Sequence, residues 1–199
     1  MKNSIRLLVV LVGLFSQAVL ADGFSADQVK TMGDTVITSK LYMQGGKMRI
    51  ETNMPNMPMT SVIIVDTQSG KSLMLMPEQK MYMVMPAGQD VDHVPDLAEL
   101  EKEYKSTRKD LGTETVNGYK CSKTEVVFED KSMGKITQWY SDKLQFIVKM
   151  VTDDSAQGAF TMELKNIKEQ DVAAALFQVP AGYKEMGQGF GAMQGFKAK

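Results

Sequence analysis

The sequence predicts a mostly antiparallel fold of the α+β class: a curved half-barrel sheet with one central amphipathic helix and a short C-terminal helix. Three observations lead there. Short segments alternate apolar and polar residues and are bounded by hairpin signals such as Gly45-Gly46 and Asn117-Gly118. A single stretch between them, Val94 to Thr107, switches to a helical period. Every identifiable link between strands is short, whereas parallel pairing needs a crossover of about a dozen residues.

The first 21 residues stand apart from this pattern. Lys2 and Arg6 precede the apolar run Leu7 to Phe15, and Val19-Leu20-Ala21 offers small residues just before Asp22-Gly23. That layout reads as a secretory signal peptide cleaved after Ala21, and the run is too short to span a bilayer of about 30 Å. The residue directly after the cleavage point is Asp22, not cysteine. The expected product is a soluble periplasmic protein that is not a lipoprotein, with no transmembrane span. Its domain would cover residues 22–186, ahead of a glycine-rich tail, 187–199, whose composition favours disorder.

Within the domain, Phe24 to Met32 opens as a weakly alternating segment, turned by Gly33-Asp34. Thr35 to Gln44 and Lys47 to Thr52 then form a hairpin about Gly45-Gly46. Counting outward pairs Met43 with Met48 and Leu41 with Ile50 on one face, and Lys40 with Glu51 and Tyr42 with Arg49 on the other. The charged face is expected to be solvated. Asn53 to Thr60 holds Pro55 and Pro58 and reads as a loop. Ser61 to Asp66 is apolar on both faces, and a second hairpin, Ser72 to Met85, follows the turn at Thr67 to Gly70. Its turn at Pro77 to Lys80 sets Met76 opposite Met81 and Met74 opposite Met83, so Met74, Met76, Met81, Met83 and Met85 share a face.

Pro86 to Asp92 links to the helical stretch. There Val94, Leu97, Leu100 and Tyr104 make an apolar stripe, Pro95 and Asp96 suit the first turn, and Glu99, Glu101 and Glu103 face solvent. This helix is the natural lid for one apolar sheet face. Strands resume at Arg108 to Val116, Tyr119 to Phe128, Lys135 to Tyr140 (with Trp139), Phe146 to Val151 and Phe160 to Lys165. Gln170 to Leu176 reads as the short C-terminal helix.

Composition excludes several functions. Without the leader the formal charge is about −3 and no basic patch stands out, which argues against nucleic acid as a partner. Cys121 is the lone cysteine and His93 the lone histidine, so no internal disulfide, His-based metal cluster or Ser-His-Asp arrangement can be assembled. Asp153-Asp154 falls in a turn, and no glycine-rich phosphate loop follows a strand. The expectation is a monomeric, non-catalytic protein without a cofactor.

Several motifs together resemble a known family. They are Phe24-Ser25-Ala26-Asp27, Gly46 to Glu51, the Pro77 to Tyr82 turn, Leu111 to Tyr119, Trp139 with Leu144, and Leu176 to Tyr183. This set resembles exported bacterial proteins with a DUF4412-type domain of unknown function, and more distantly the outer-membrane lipoprotein carrier and receptor group. The resemblance implies an incomplete antiparallel β-barrel closed by helices around a hydrophobic cavity, which in the distant group carries acyl chains. Position 147, often proline in similar proteins, is isoleucine here. No catalytic residues come with the resemblance.

The methionines carry the functional expectation. Ten of the 17 lie between Met43 and Met85. Leaving five of them wet on one face would forfeit on the order of 7–15 kcal/mol, as much as the net stability of a domain. The chain's own helix, a ligand or a partner must therefore cover them. Thioethers are flexible and polarisable, which suits an adaptable pocket for an acyl chain, a lipid or a lipidated protein. The residues so implicated are Leu41, Met43, Met48, Ile50, Met74, Met76, Met81, Met83 and Met85. A different reading attaches to the loop: Met54, Met57 and Met59 could offer soft ligands to Cu(I).

Overall fold

The structure, a computed structural model, describes residues 22–53, 59–85, 97–153 and 158–186. The strands are β1 (Gly23–Met32), β2 (Thr35–Gln44), β3 (Lys47–Asn53), β4 (Thr60–Asp66), β5 (Lys71–Met76) and β6 (Met81–Met85), then β7 (Ser106–Val116), β8 (Tyr119–Phe128), β9 (Lys135–Ser141), β10 (Phe146–Asp153), β11 (Phe160–Glu169) and β12 (Lys184–Glu185). Among the described residues one α-helix, α1 (Leu97–Glu103), lies between β6 and β7.

All twelve strands form one open, curved sheet in the order β12-β6-β5-β4-β3-β2-β1-β11-β10-β9-β8-β7. Two meanders, β1–β6 and β7–β11, meet where β1 pairs with β11. Every pairing is antiparallel except that of β12 with β6. The hairpin turns behave as their residues require. Gly45 and Gly46 both take positive φ (54° and 75°), as do Asn117 and Gly118 (49° and 87°), which matches the right-handed twist of the flanking strands. Asn117 also donates its side-chain amide to the Leu164 carbonyl at 2.7 Å, tying the β7–β8 tip to β11.

The register of the first meander is the expected one: Met43 opposes Met48, Leu41 opposes Ile50, Met74 opposes Met83 and Met76 opposes Met81. The main core holds Phe24, Leu41, Met48, Ile50, Ile63 and Val65 from this meander, and Val126, Ile136, Val148, Met150, Met162 and Leu164 from β8–β11. Ile147 borders a β-bulge between Ile147 and Lys149, a break in the ladder at which proline would also be tolerated.

The helices depart from expectation. The central amphipathic helix expected from Val94 to Thr107 is not shown at that length: among the described residues the helix runs seven residues, Leu97–Glu103, and β7 begins at Ser106. Ser106 and Thr107 pair with Phe128 and Val127 of β8, and this ladder ends the helix. So short a helix is stable only through its packing. Leu97 is buried in the main core, Tyr104 meets Phe128 edge-on at 6.4 Å, and Glu101 is bonded by the Arg108 guanidinium. Val94 to Asp96 lie outside the described residues. The C-terminal helix is likewise reduced to a 3-10 turn at Ala174–Phe177. Upstream of it the Val172 N–H is engaged by Gln44 Oε1 at 2.8 Å, which holds the chain flat against β2.

That flat segment overturns the expectation of a solvated charged face. Val172 and Phe177 pack on Val62, Ile64 and Leu75, with Tyr42, Leu73, Tyr82, Leu176 and Tyr183 around them. Arg49 lies beneath the strap, donating to the Leu176 carbonyl (2.9 Å) and to Glu51 (2.7 Å). Lys40 stands opposite Glu51 in the β2–β3 ladder, as counted, while its ammonium forms an ion pair with Asp27 on β1. The residues from 170 to 186 thus form a strap over one face of β3–β6, which ends as β12 on the edge of the sheet.

Candidate functional site

The face of β2–β6 opposite the strap is built from rows of side chains brought into line by the register. One row runs Leu41, Ile50, Ile63, Met74, Met83, and the next runs Met43, Met48, Val65, Ser72, Met85. Burial falls along the first row. Leu41, Ile50 and Ile63 are at most 2% exposed, whereas Met74 and Met83 are only partly buried, as are Met76 and Met81 beside them. Leu41, Met48 and Ile50 are thus main-core residues, and Met43 packs at its margin. Four thioethers, Met74, Met76, Met81 and Met83, gather as a partly exposed patch at the outer end of the sheet. Met85 is buried, 8% exposed.

The described helix covers an apolar face of the sheet, as expected of a lid, with Leu97 buried in the main core. Leu100 of α1 lines an apolar cavity of about 300 Å³ with Met32, Met133, Ile136, Met150 and Phe160, over β9–β11. With Tyr104 on Phe128 and Glu101 on Arg108, these contacts run to the second meander. A second cleft, about 480 Å³, opens beside Met43 between Phe24, Leu144 and Phe146, with Lys143 and Glu169 at its edge.

Sequence reasoning passed over two features. A polar row crosses the apolar face: Gln28 on β1 opposes Ser39, and Ser39 opposes Thr52, the two hydroxyls lying 2.7 Å apart. The Gln28 Oε1 atom is buried with no hydrogen-bond partner among the described residues, a costly state for an amide oxygen. Nothing in a strand pattern distinguishes such a glutamine from a solvated one. The other feature is Met186. Its N–H donates to the Tyr82 carbonyl at 2.7 Å, one residue beyond the Lys184–Met81 and Glu185–Tyr82 pairs, so the register sets it beside Met83. A one-strand count from the hairpin could not reach it, because β12 pairs from about a hundred residues away.

At the β7–β8 tip, Tyr119 donates to Glu169 (3.0 Å), which Lys143 also bonds (2.6 Å). Burial, reinforced by Glu169, pushes the Tyr119 phenol up to about 12, and the Lys143 bond draws Glu169 below the usual carboxylate range. The Lys143 and Glu169 charges cancel, leaving no net charge for a ligand. Cys121 is fully buried and burial raises its thiol pKa. Among the described residues no three His, Cys, Asp or Glu side chains cluster to hold a metal. Of the loop methionines, Met54 and Met57 lie outside the described residues, as does His93; the Met59 sulfur stands 3.7 Å from Gln79 Nε2. No described helix is long and apolar enough to cross a membrane.

The family model for a domain of unknown function, DUF4412, matches residues 28–144 and 129–183. No curated protein matches the chain in sequence. Among solved structures it is similar to an uncharacterized conserved protein from Thermus thermophilus, with 9% identity over 84% of this chain and 91% of that one, at a TM-score of 0.57. It is also similar to a chain of the Pseudomonas aeruginosa MucA/MucB complex, with 11% identity over 80% of this chain and 56% of that one, at a TM-score of 0.52. A LolA superfamily protein from Nitrosomonas europaea is similar at 11% identity over 79% of this chain and 90% of that one, with a TM-score of 0.39.

Proposed function

The chain belongs to the DUF4412 family, whose description assigns no activity, and we propose that it is an exported, non-catalytic binding protein for a hydrophobic ligand. The ligand class is an acyl chain, a lipid or the lipidated end of another protein. It sits on the methionine face of β2–β6, over Met43, Met74, Met76, Met81 and Met83, with Leu41, Met48, Ile50 and Met85 as the floor.

The observation that carries this reading is the partial exposure of four thioethers held in register, on strands whose opposite face is sealed by the chain's own C-terminal strap. Methionine side chains adapt their shape to varied apolar partners, and apolar pockets with few polar groups hold acyl chains without chemistry. The test is native mass spectrometry of the protein purified from its own periplasm, with displacement of a fluorescent fatty acid. A bound lipid and saturable displacement are the expected results. A clean apo mass with no displacement overturns the reading, and a stoichiometric copper adduct lost on replacing Met54, Met57 and Met59 would put Cu(I) in its place.

A further inference from the structure

The methionine patch has an inner and an outer row, and the outer one is bracketed by polar side chains. Along the inner row Ile63, Met74 and Met83 stand side by side. Along the outer row Met76 opposes Met81, and Met81 opposes Lys184 of β12. The β4–β5 register, carried one residue past the pair of Val62 with Leu75, sets Ser61 beside Met76. The Tyr82 hydroxyl donates to Glu185 Oε2 at 3.1 Å on the sealed face, so alternation keeps Lys184 on the methionine face. Ser61, Met76 and Met81 are partly buried and Lys184 is exposed. The hairpin tip that carries the pair is pinned, because Glu78 Oε1 accepts the Thr60 N–H at 2.9 Å.

A thioether is a weak hydrogen-bond acceptor and has little use for a hydroxyl or an ammonium beside it. Its sulfoxide is polar and accepts such donors well. We propose that Met76 and Met81 are a reversible oxidation pair that regulates the hydrophobic site: their sulfoxides, held by Ser61 and Lys184, turn the patch polar and release the ligand. The release rests on the ligand reading above; the oxidation does not. The oxidant is a peroxide. A sulfur lone pair attacks one peroxide oxygen, and the O–O bond breaks as the S–O bond forms. The departing oxygen takes up the proton and leaves as water, the peroxide gaining the electron pair that sulfur loses. A dithiol reverses the step, becoming a disulfide as the sulfoxide oxygen departs as water. Placement matters as well. Met48, Met150 and Met162 are at most 7% exposed within the main core, where a sulfoxide would disrupt packing, whereas Met76 and Met81 can be oxidised at the surface of a folded chain.

The test treats the full chain with hydrogen peroxide, locates sulfoxides by peptide mass spectrometry and follows binding of a fluorescent fatty acid. Met76 and Met81 are expected to oxidise about tenfold faster than Met48, Met150 and Met162. Probe affinity should fall about tenfold, and stereospecific sulfoxide reductases with a dithiol should restore it. Lys184→Leu should slow oxidation at Met81 about threefold and leave that at Met32 unchanged. Met32, 50% exposed, oxidises too, so the discriminating variant is Met76→Leu with Met81→Leu, which should bind the probe and keep its affinity after peroxide. Oxidation of the pair no faster than that of the core methionines overturns the proposal. So does a double variant that still loses the probe, or a parent chain that carries both sulfoxides and binds the probe unchanged. If the untreated chain does not bind the probe, oxidation that is fast at the pair, slowed at Met81 by Lys184→Leu and reversed by the reductases upholds the oxidation pair and rejects the ligand reading.

Discussion

The two faces of β3–β6 are made from the same strands, and the protein treats them differently. On one face Val62, Ile64 and Leu75 are sealed by Val172 and Phe177 and braced by the Arg49 bond to Leu176. On the other, Ile50, Ile63 and Val65 join the main core, but the outermost positions carry methionine and stay partly exposed. Branched residues fill the sealed face, where a fixed partner selects a fixed shape. Unbranched thioethers fill the unsealed end, where no single shape is imposed. The difference separates packing that supports the fold from the surface to which the proposed ligand is assigned.

The largest effect should follow from breaking the sealed face. Phe177→Ala removes the ring that fills it and is expected to cost about 3–5 kcal/mol, measured as a shift of the urea midpoint at unchanged slope. If the strap were merely draped over the sheet, the loss would be under about 1 kcal/mol. Next comes the joint between the strap and β1. A Cβ on Gly23 would lie 2.4 Å from the Met43 carbonyl and 2.3 Å from Gln44 Oε1, the atom that accepts the Val172 N–H. Gly23→Ala should therefore cost about 1–3 kcal/mol and loosen the strap, raising amide exchange at Val172 above that of core strands.

Ligand binding should reverse this order of sensitivity. Met74→Ser with Met83→Ser changes two partly exposed residues, so stability should fall by no more than about 1–2 kcal/mol, while fatty-acid affinity drops at least tenfold. Equal losses in both faces' variants would mean that the methionines are ordinary core.

Much of this contrast was legible in the sequence, and the part that was not has a common cause. Hairpin registers follow from local turns, so Met74 with Met83 and Leu41 with Ile50 could be counted from Gly45-Gly46 and Pro77-Glu78-Gln79-Lys80. The DUF4412 likeness was legible in scattered motifs. What covers each face depends on contacts between distant segments. The Arg49–Tyr42 side read as solvated because nothing near it in sequence announces that Leu176 will cap the guanidinium. The helical stripe was real at Leu97, Leu100 and Tyr104, yet pairing of Ser106 with Phe128 cut the helix short, and its contacts fell on β8–β11. A buried Gln28 amide oxygen with no partner among the described residues leaves no trace in periodicity at all.

The smallest effect lies past the edge of the strap, where the same outer face turns polar. Asp27 accepts hydrogen bonds from Asn166 and from Lys40, and these hold its carboxyl below the usual value of 3.8. A carboxylate with a depressed folded pKa stabilises above its unfolded value, and that contribution is lost as pH falls through the lower folded value. Lys40 is 61% exposed, so solvent screens the pair and Asp27→Asn should cost only about 0.5–1 kcal/mol at pH 7. The diagnostic is the pH dependence: the deficit should shrink as the parent is acidified below about pH 4, because protonated aspartic acid and asparagine are then equivalent in charge. Phe177 itself carries no ionisable group, so the Phe177→Ala deficit should be the same at pH 7 and pH 4. An Asp27→Asn deficit that persists unchanged at pH 3 would mean the side chain acts by shape and hydrogen bonding to Asn166 rather than by charge, and the polar part of this face would then be held together as the apolar part is.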